Sequence, residues 1–294
     1  MSYENEHLNK RISRYDINTK AASFTTTLKG LAIIVLNITE LCTRKCSFCP
    51  RTNPEIYPNQ NIHMTKETAF LISEKCKLDG YTGDIHISGF GEPLLNRNIL
   101  ELLTNIRVNL PNNHIILTSN GDRMTIDYMK SLYSSGVNYI SISCYEEPLY
   151  AKFEKMFADC DVPQENFKIR KLWFIENENT SEFVERNTFH NAGGTLPGDN
   201  DKVKNNPCYF PFYKMMVDWN GDVLLCCEDW LRKAGTFGNL TRDSLSEVWH
   251  GQKFNEIRMG LLNKNRACNN ACKNCSINGL LMGYDSVKVL ESIL

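Results

Sequence analysis

The chain has 294 residues, a formal net charge of −1, 42% hydrophobic residues and 23% charged residues. This is the composition of an ordinary globular protein, and its near-neutral balance gives no electrostatic reason to expect a nucleic-acid or membrane partner. The apolar run 31–36 (LAIIVL) is far shorter than the ~18 residues of a membrane span, and the polar opening MSYENEHLNKRISRYD has no apolar signal core, so the cytoplasm is expected.

Residues 1–30 read as a short extension. The run 31–37 is rich in β-branched residues and reads as a buried parallel strand. A helix is expected over 65–77, with Thr65 as its N-cap. A second strand, 84–88 (DIHIS), runs into GFGEP. Helix 98–108 leads to strand 115–118, which ends in SNG. Helix 125–135, strand 139–143 (YISIS), helix 147–160 and strand 168–175 follow. Strands alternating with helices imply a parallel sheet, with the chemistry at the carboxyl ends of the strands. Residues 177–207 are rich in Asn, Thr and Gly and read as a linker. Beyond them Asn220-Gly221 signals a hairpin. One helix is expected over 245–262, and a short helix at the C-terminus.

Twelve cysteines are unusual for a reducing compartment. Cys76, Cys144 and Cys160 read as small buried residues. The others fall in two groups whose close spacing suits metal binding. Cys42, Cys46 and Cys49 (CTRKCSFC) follow the first strand. Three thiols without a local fourth suit a four-iron cluster with one open iron, although zinc with a distant fourth ligand fits the same spacing. The C-x3-C-x2-C string recurs in CNNACKNC, from Cys268 to Cys275.

CTRKCSFC, with Phe48 before the third cysteine, resembles the signature of the radical S-adenosylmethionine superfamily. The resemblance covers residues 31–190. It implies a [4Fe–4S] cluster on Cys42, Cys46 and Cys49, S-adenosylmethionine on the open iron, and a deoxyadenosyl radical that abstracts a substrate hydrogen. The family's glycine-rich segment matches Gly89, Gly91 and Glu92, which implies contact with the methionyl amine. Ser119 and Asn120 match its third-strand turn, and Ser141 and Ser143 its ribose-facing strand. The implied fold is α/β, a partial (β/α)6 TIM-like barrel over 31–206. A small C-terminal iron–sulfur domain occupies 207–294.

Cys208-x12-Gly221-x4-Cys226, closed by Cys272-x2-Cys275, resembles the SPASM/twitch extensions of that superfamily. The short twitch form implies one auxiliary [4Fe–4S] cluster on Cys208, Cys226, Cys272 and Cys275. Cys227 and Cys268 compete for places in that set, and four thiols could also hold zinc. The short chain resembles the superfamily's twitch-bearing alcohol dehydrogenases. This implies a small sugar- or cyclitol-like substrate rather than a peptide, and a flavodoxin- or ferredoxin-type electron donor. A radical epimerase and a peptide maturase are the alternatives. Candidate catalytic groups are Arg170, which could take the alcohol proton, and Cys144 and Cys227, which could donate hydrogen in an epimerisation.

Overall fold

The computed structural model describes residues 28, 30–172, 191–196 and 207–277. The apolar run near the start forms strand β1 (Ile33–Leu36), buried along its whole length. Such a strand needs neighbours on both edges, and it has them. On one side lie β2 (Asp84–Ile87), β3 (Ile115–Ser119), β4 (Tyr139–Cys144) and β5 (Phe167–Lys171), each parallel to the last. On the other side β6 (Lys214–Val217) also pairs in parallel, Ile33 opposite Lys214 and Leu36 opposite Val217. A two-residue strand β7 (Val223–Leu224) closes the edge antiparallel to β6. The order β5-β4-β3-β2-β1-β6-β7 is an open sheet.

The helices α1 (Lys66–Leu78), α2 (Ile99–Asn109), α3 (Ile126–Ser134) and α4 (Glu147–Asp159) are the crossovers that parallel pairing requires. Their starts are legible in the sequence: Thr65 accepts from Thr68 N and Thr125 from Tyr128 N, each satisfying a donor the first helical turn leaves open. Five alternating strands of the expected six-fold repeat lie among the described residues. The N-terminal extension, the end of the fifth strand beyond residue 172 and the C-terminal helix lie outside them.

Strand β6, which follows the expected boundary at residue 206, extends the edge of β1 within the same sheet. Two features differ from the sequence reading. The single helix expected over 245–262 is two, α6 (Leu245–Trp249) and α7 (Gln252–Leu262). Gly251 caps α7 in an extended conformation, and Arg258 of α7 donates to the freed carbonyl of Trp249 at 2.7 Å. Between β5 and β6 comes a short turn α5 (Phe210–Tyr213). The second difference is in the linker. Its NAGG stretch, Asn191–Gly194, is a buried turn packed on the second cysteine region, with Asn191 bonded to Asn274 O at 2.6 Å and to Ser276 Oγ at 2.8 Å. Gly193 has φ +63°, and a Cβ there would collide with Glu228 O, so glycine is required twice over.

Candidate active site and auxiliary cysteine site

A cavity of about 470 Å³ opens at the carboxyl ends of the strands. Cys42, Cys46 and Cys49 line it, and their thiols interact electrostatically with one another. Burial pushes all three thiols up, Cys46 to about 11, with Arg51 pulling Cys42 and Cys49 back down.

The loop that carries them is tied to the strand ends by side chains. Arg44 forks onto Asp122 at 2.6 Å, after β3, and reaches Glu146 at 3.0 Å, after β4. Asn120 donates to Thr43 Oγ1 at 3.0 Å. Asn59 holds both the N–H and the carbonyl of Cys42. Phe48 stacks on Tyr145 with ring centroids 6.1 Å apart. Beneath the loop, buried Glu40 bridges Arg51, at 3.4 Å, and Arg232, at 2.6 Å, and accepts from the Tyr57 hydroxyl. Asn37 joins Glu40 to Asp218 with 2.8 Å hydrogen bonds.

The glycine-rich segment lies against this floor. Phe90 N donates to Asn37 Oδ1 at 2.9 Å, and Arg51 Nε donates to Phe90 O at 2.6 Å. A Cβ on Gly91 would strike Thr39 O, so only glycine allows the segment to pass so close to the cysteine loop. Glu92 points inward. It accepts from Ser119 Oγ at 2.7 Å, Asn120 N at 2.7 Å and Leu94 N at 3.1 Å, so it shapes the turns after β2 and β3. Burial pushes its carboxyl up to about 7, against those three donors.

Gly89, Gly91, Glu92, Ser119, Asn120, Ser143 and Phe48 all line the cavity. Ser141 shares a strand face with Ser143, one repeat deeper, and is buried outside the lining. Arg170, opposite Ser143 across β4 and β5, lines it too. Cys144 does not: it is buried in the core and donates to Glu146 O at 3.2 Å. Sequence reasoning missed Arg44, Tyr145, Glu40, Arg51 and Trp230. Arg44, Tyr145, Arg51 and Trp230 line the cavity, and Glu40 anchors Arg51 beneath it. The only local signal was the placement of Arg44 between two cysteines.

The second site assembles from three stretches of chain. Cys226 follows β7 and interacts with Cys272 and Cys275, and Cys208 with Cys272 and Cys275. Cys208, Cys272 and Cys275 are buried, and burial pushes the Cys275 thiol up to about 12. The structure thus places the four residues that the resemblance implies within electrostatic range of one another. Cys268 packs against Gly260 of α7, beside Cys272 but to one side of the set. Cys227 acts electrostatically on Cys226. It lines the cavity with Glu228 and Trp230, and Lys214 donates to its sulfur at 3.2 Å. Among the described residues no three His, Cys, Asp or Glu side chains are drawn together tightly enough for one metal ion. The donor chemistry at both places is all thiol, which suits iron–sulfur clusters.

Two family models match this chain. Residues 36–144 match the Radical SAM superfamily and residues 208–276 match SPASM, an iron-sulfur cluster-binding domain. The chain is a radical S-adenosylmethionine enzyme with a SPASM domain. Its cofactors are S-adenosylmethionine, a [4Fe–4S] cluster and an auxiliary [4Fe–4S] cluster. It is 26% identical over 258 residues to the S-adenosyl-L-methionine-dependent 2-deoxy-scyllo-inosamine dehydrogenase of Niallia circulans, covering 84% of this chain and 94% of the relative. It is 31% identical to the GTP 3′,8-cyclase of Saccharophagus degradans over 115 residues, 39% of this chain and 34% of that one. In fold it is similar to BtrN solved in complex with AdoMet and 2-DOIA. The TM-score is 0.69 at 23% identity, over 87% of this chain and 97% of that one. No helix among the described residues is long and apolar enough to cross a membrane.

Proposed function

We propose that the enzyme oxidises a secondary alcohol of a small cyclitol- or sugar-like molecule to a ketone. One observation carries this reading: Cys42, Cys46 and Cys49 share a single cavity with Cys227 and Glu228, the two residues directly after Cys226. A substrate in that cavity lies between the two cysteine sites. A cavity of about 470 Å³ is of small-molecule size. The similarity to a cyclitol dehydrogenase over nearly its whole length points the same way.

In this reading Cys42, Cys46 and Cys49 hold the open cluster, and Cys208, Cys226, Cys272 and Cys275 the auxiliary one. When bound, these groups and S-adenosylmethionine supply a radical that takes one hydrogen atom and an acceptor for the electron left behind. The alcohol loses a hydrogen atom, a proton and an electron, a two-electron oxidation. The chain's own residues position the reactants. The Gly89–Gly91 backbone faces the methionyl end, with Glu92 fixing the turns beneath it. Ser143 and Ser141 mark the strand that faces the ribose. Arg170 and Glu228 offer charged groups to the substrate hydroxyls: the Glu228 carboxylate takes the hydroxyl proton, and the Arg170 guanidinium, already protonated, stabilises the oxygen left behind. The barrel spans 31–206 and the auxiliary domain 207–294. The enzyme works in the cytoplasm with a flavodoxin- or ferredoxin-type reductant.

The deciding experiment incubates the reconstituted, reduced enzyme with S-adenosylmethionine and a panel of cyclitols and aminocyclitols in D2O. A ketone formed in equal amount to 5′-deoxyadenosine is expected. A second reading, radical epimerisation, is favoured by one observation, the Cys227 thiol in the cavity wall. It requires an unoxidised product carrying one deuterium, and that product would displace the dehydrogenase reading.

A further inference from the structure

Strand β6 opens on Lys214, whose register partner is Ile33 of β1. Its ammonium donates to Cys227 Sγ at 3.2 Å and lies 3.9 Å from the centre of the Phe210 ring. A sulfur and a π-face are weak partners for a half-buried cation. Lys214 also interacts electrostatically with Cys226 and Cys208, two of the four residues of the auxiliary set. A second cation faces the same set. Arg266 is buried, donates to Ile277 O at 2.9 Å, and acts electrostatically on Cys208, Cys272 and Cys275. One anion opposes them, the Glu228 carboxylate, which acts on Cys208, Cys226 and Cys275.

Four thiolates outweigh the positive charge of a four-iron core, so each added electron makes such a site more anionic. The reduction potential of a cluster follows the charge around it. A cation fixed beside the ligands stabilises the reduced state more than the oxidised one.

We propose that Lys214, assisted by Arg266, raises the reduction potential of the auxiliary [4Fe–4S] cluster and so equips it to accept the substrate's electron. The second half of this inference rests on the dehydrogenase reading above; the first half does not. Lys214 is a positioning charge rather than a catalytic residue, since it acts through the cysteine set.

The test is a potentiometric titration followed by electron paramagnetic resonance. It uses the full chain with Cys42, Cys46 and Cys49 changed to Ala, so that only the auxiliary cluster is observed. Lys214→Met is expected to lower the electron-uptake equilibrium at least tenfold, a shift of about 59 mV for a one-electron couple. Lys214→Arg keeps the charge and should stay near the parent value. If Lys214→Met does not load iron, Cys227→Asp retains the lysine and cancels its charge, and must lower the potential as well. An unchanged potential in any loaded, charge-cancelled variant overturns the proposal. A lowered potential with undiminished ketone formation, measured in the otherwise intact enzyme, keeps the tuning role and refutes electron uptake from substrate.

Discussion

The C-x3-C-x2-C string occurs twice in the chain, yet the two cysteine sites are built in opposite ways. Cys42, Cys46 and Cys49 sit on one loop, half-buried, along the wall of an open cavity. Cys208, Cys226, Cys272 and Cys275 come from three distant stretches, and all but the half-buried Cys226 are buried. The first loop is held by polar tethers, Arg44 to Asp122 and Glu146, and Asn59 to the Cys42 backbone. The second is held by packing and turns, with Asn191, Ser276 and Arg266 closing the chain around it. An open site needs a loop that leaves one face free for exogenous ligands. A closed site needs all four donors from the protein, and no single short loop here provides them.

The most severe test of this contrast removes the first site. Changing Cys42, Cys46 and Cys49 to Ala should abolish 5′-deoxyadenosine formation and halve the iron bound per chain. Iron analysis and chromatography of the S-adenosylmethionine products check both. Full cleavage activity in that variant would dismantle the assignment.

Next in size is the second site. Cys272→Ala with Cys275→Ala should also halve the iron, yet leave uncoupled cleavage of S-adenosylmethionine while eliminating ketone formation. Cys268→Ala, a change outside the set, should keep all the iron and both activities. Loss of iron from Cys268→Ala would reassign the fourth ligand.

The third test concerns what joins the two regions. Glu40 lies between Arg51 of the first loop and Arg232, which follows the β6–β7 hairpin. Glu40→Ala leaves two arginines without their shared carboxylate, and should cost about 3–5 kcal/mol of stability. Denaturant unfolding of the full chain measures it. A loss below about 1 kcal/mol would mean the network is solvated rather than structural.

The smallest expected effect is a pH dependence. Glu92 has its carboxyl raised from 4.5 to about 7, chiefly by burial. A raised carboxyl favours folding while protonated, so its contribution is complete below pH 4.5 and fades as pH climbs through about 7. Glu92→Gln should flatten that slope, by on the order of 3 kcal/mol across the window. Unfolding midpoints of wild type and variant between pH 4.5 and 8 provide the comparison. Parallel curves would show that Ser119, Asn120 and Leu94 hold the carboxylate ionised throughout.

The first site was largely legible because its determinants are local. A buried strand, then three cysteines, then glycine-rich and SNG turns recur at fixed places in an alternating chain, and the alternation itself puts them on one edge. Thr65 and Thr125 announced their helices because capping is a contact over three residues. What was not legible is what crosses the chain. Arg44, Arg51 and Tyr145 are ordinary surface residues in sequence; their partners lie as far as 102 positions away. The NAGG stretch has the composition of a linker, and only its packing against Glu228 and Asn274 makes it a wall.

Sequence alone determined the strand and helix alternation and the three-cysteine loop after the first strand, because hydrophobic period, capping and ligand spacing act over short distances. The tertiary structure alone decided which cysteine faces which space. Cys226 and Cys227 are neighbours in the chain, yet one interacts with Cys272 and Cys275 and the other lines the cavity beside Lys214. Both lie past the end of β7, and Cys227 begins a turn, so strand alternation does not decide where either thiol points. Only the placement of β6 against β1 fixes where each one arrives.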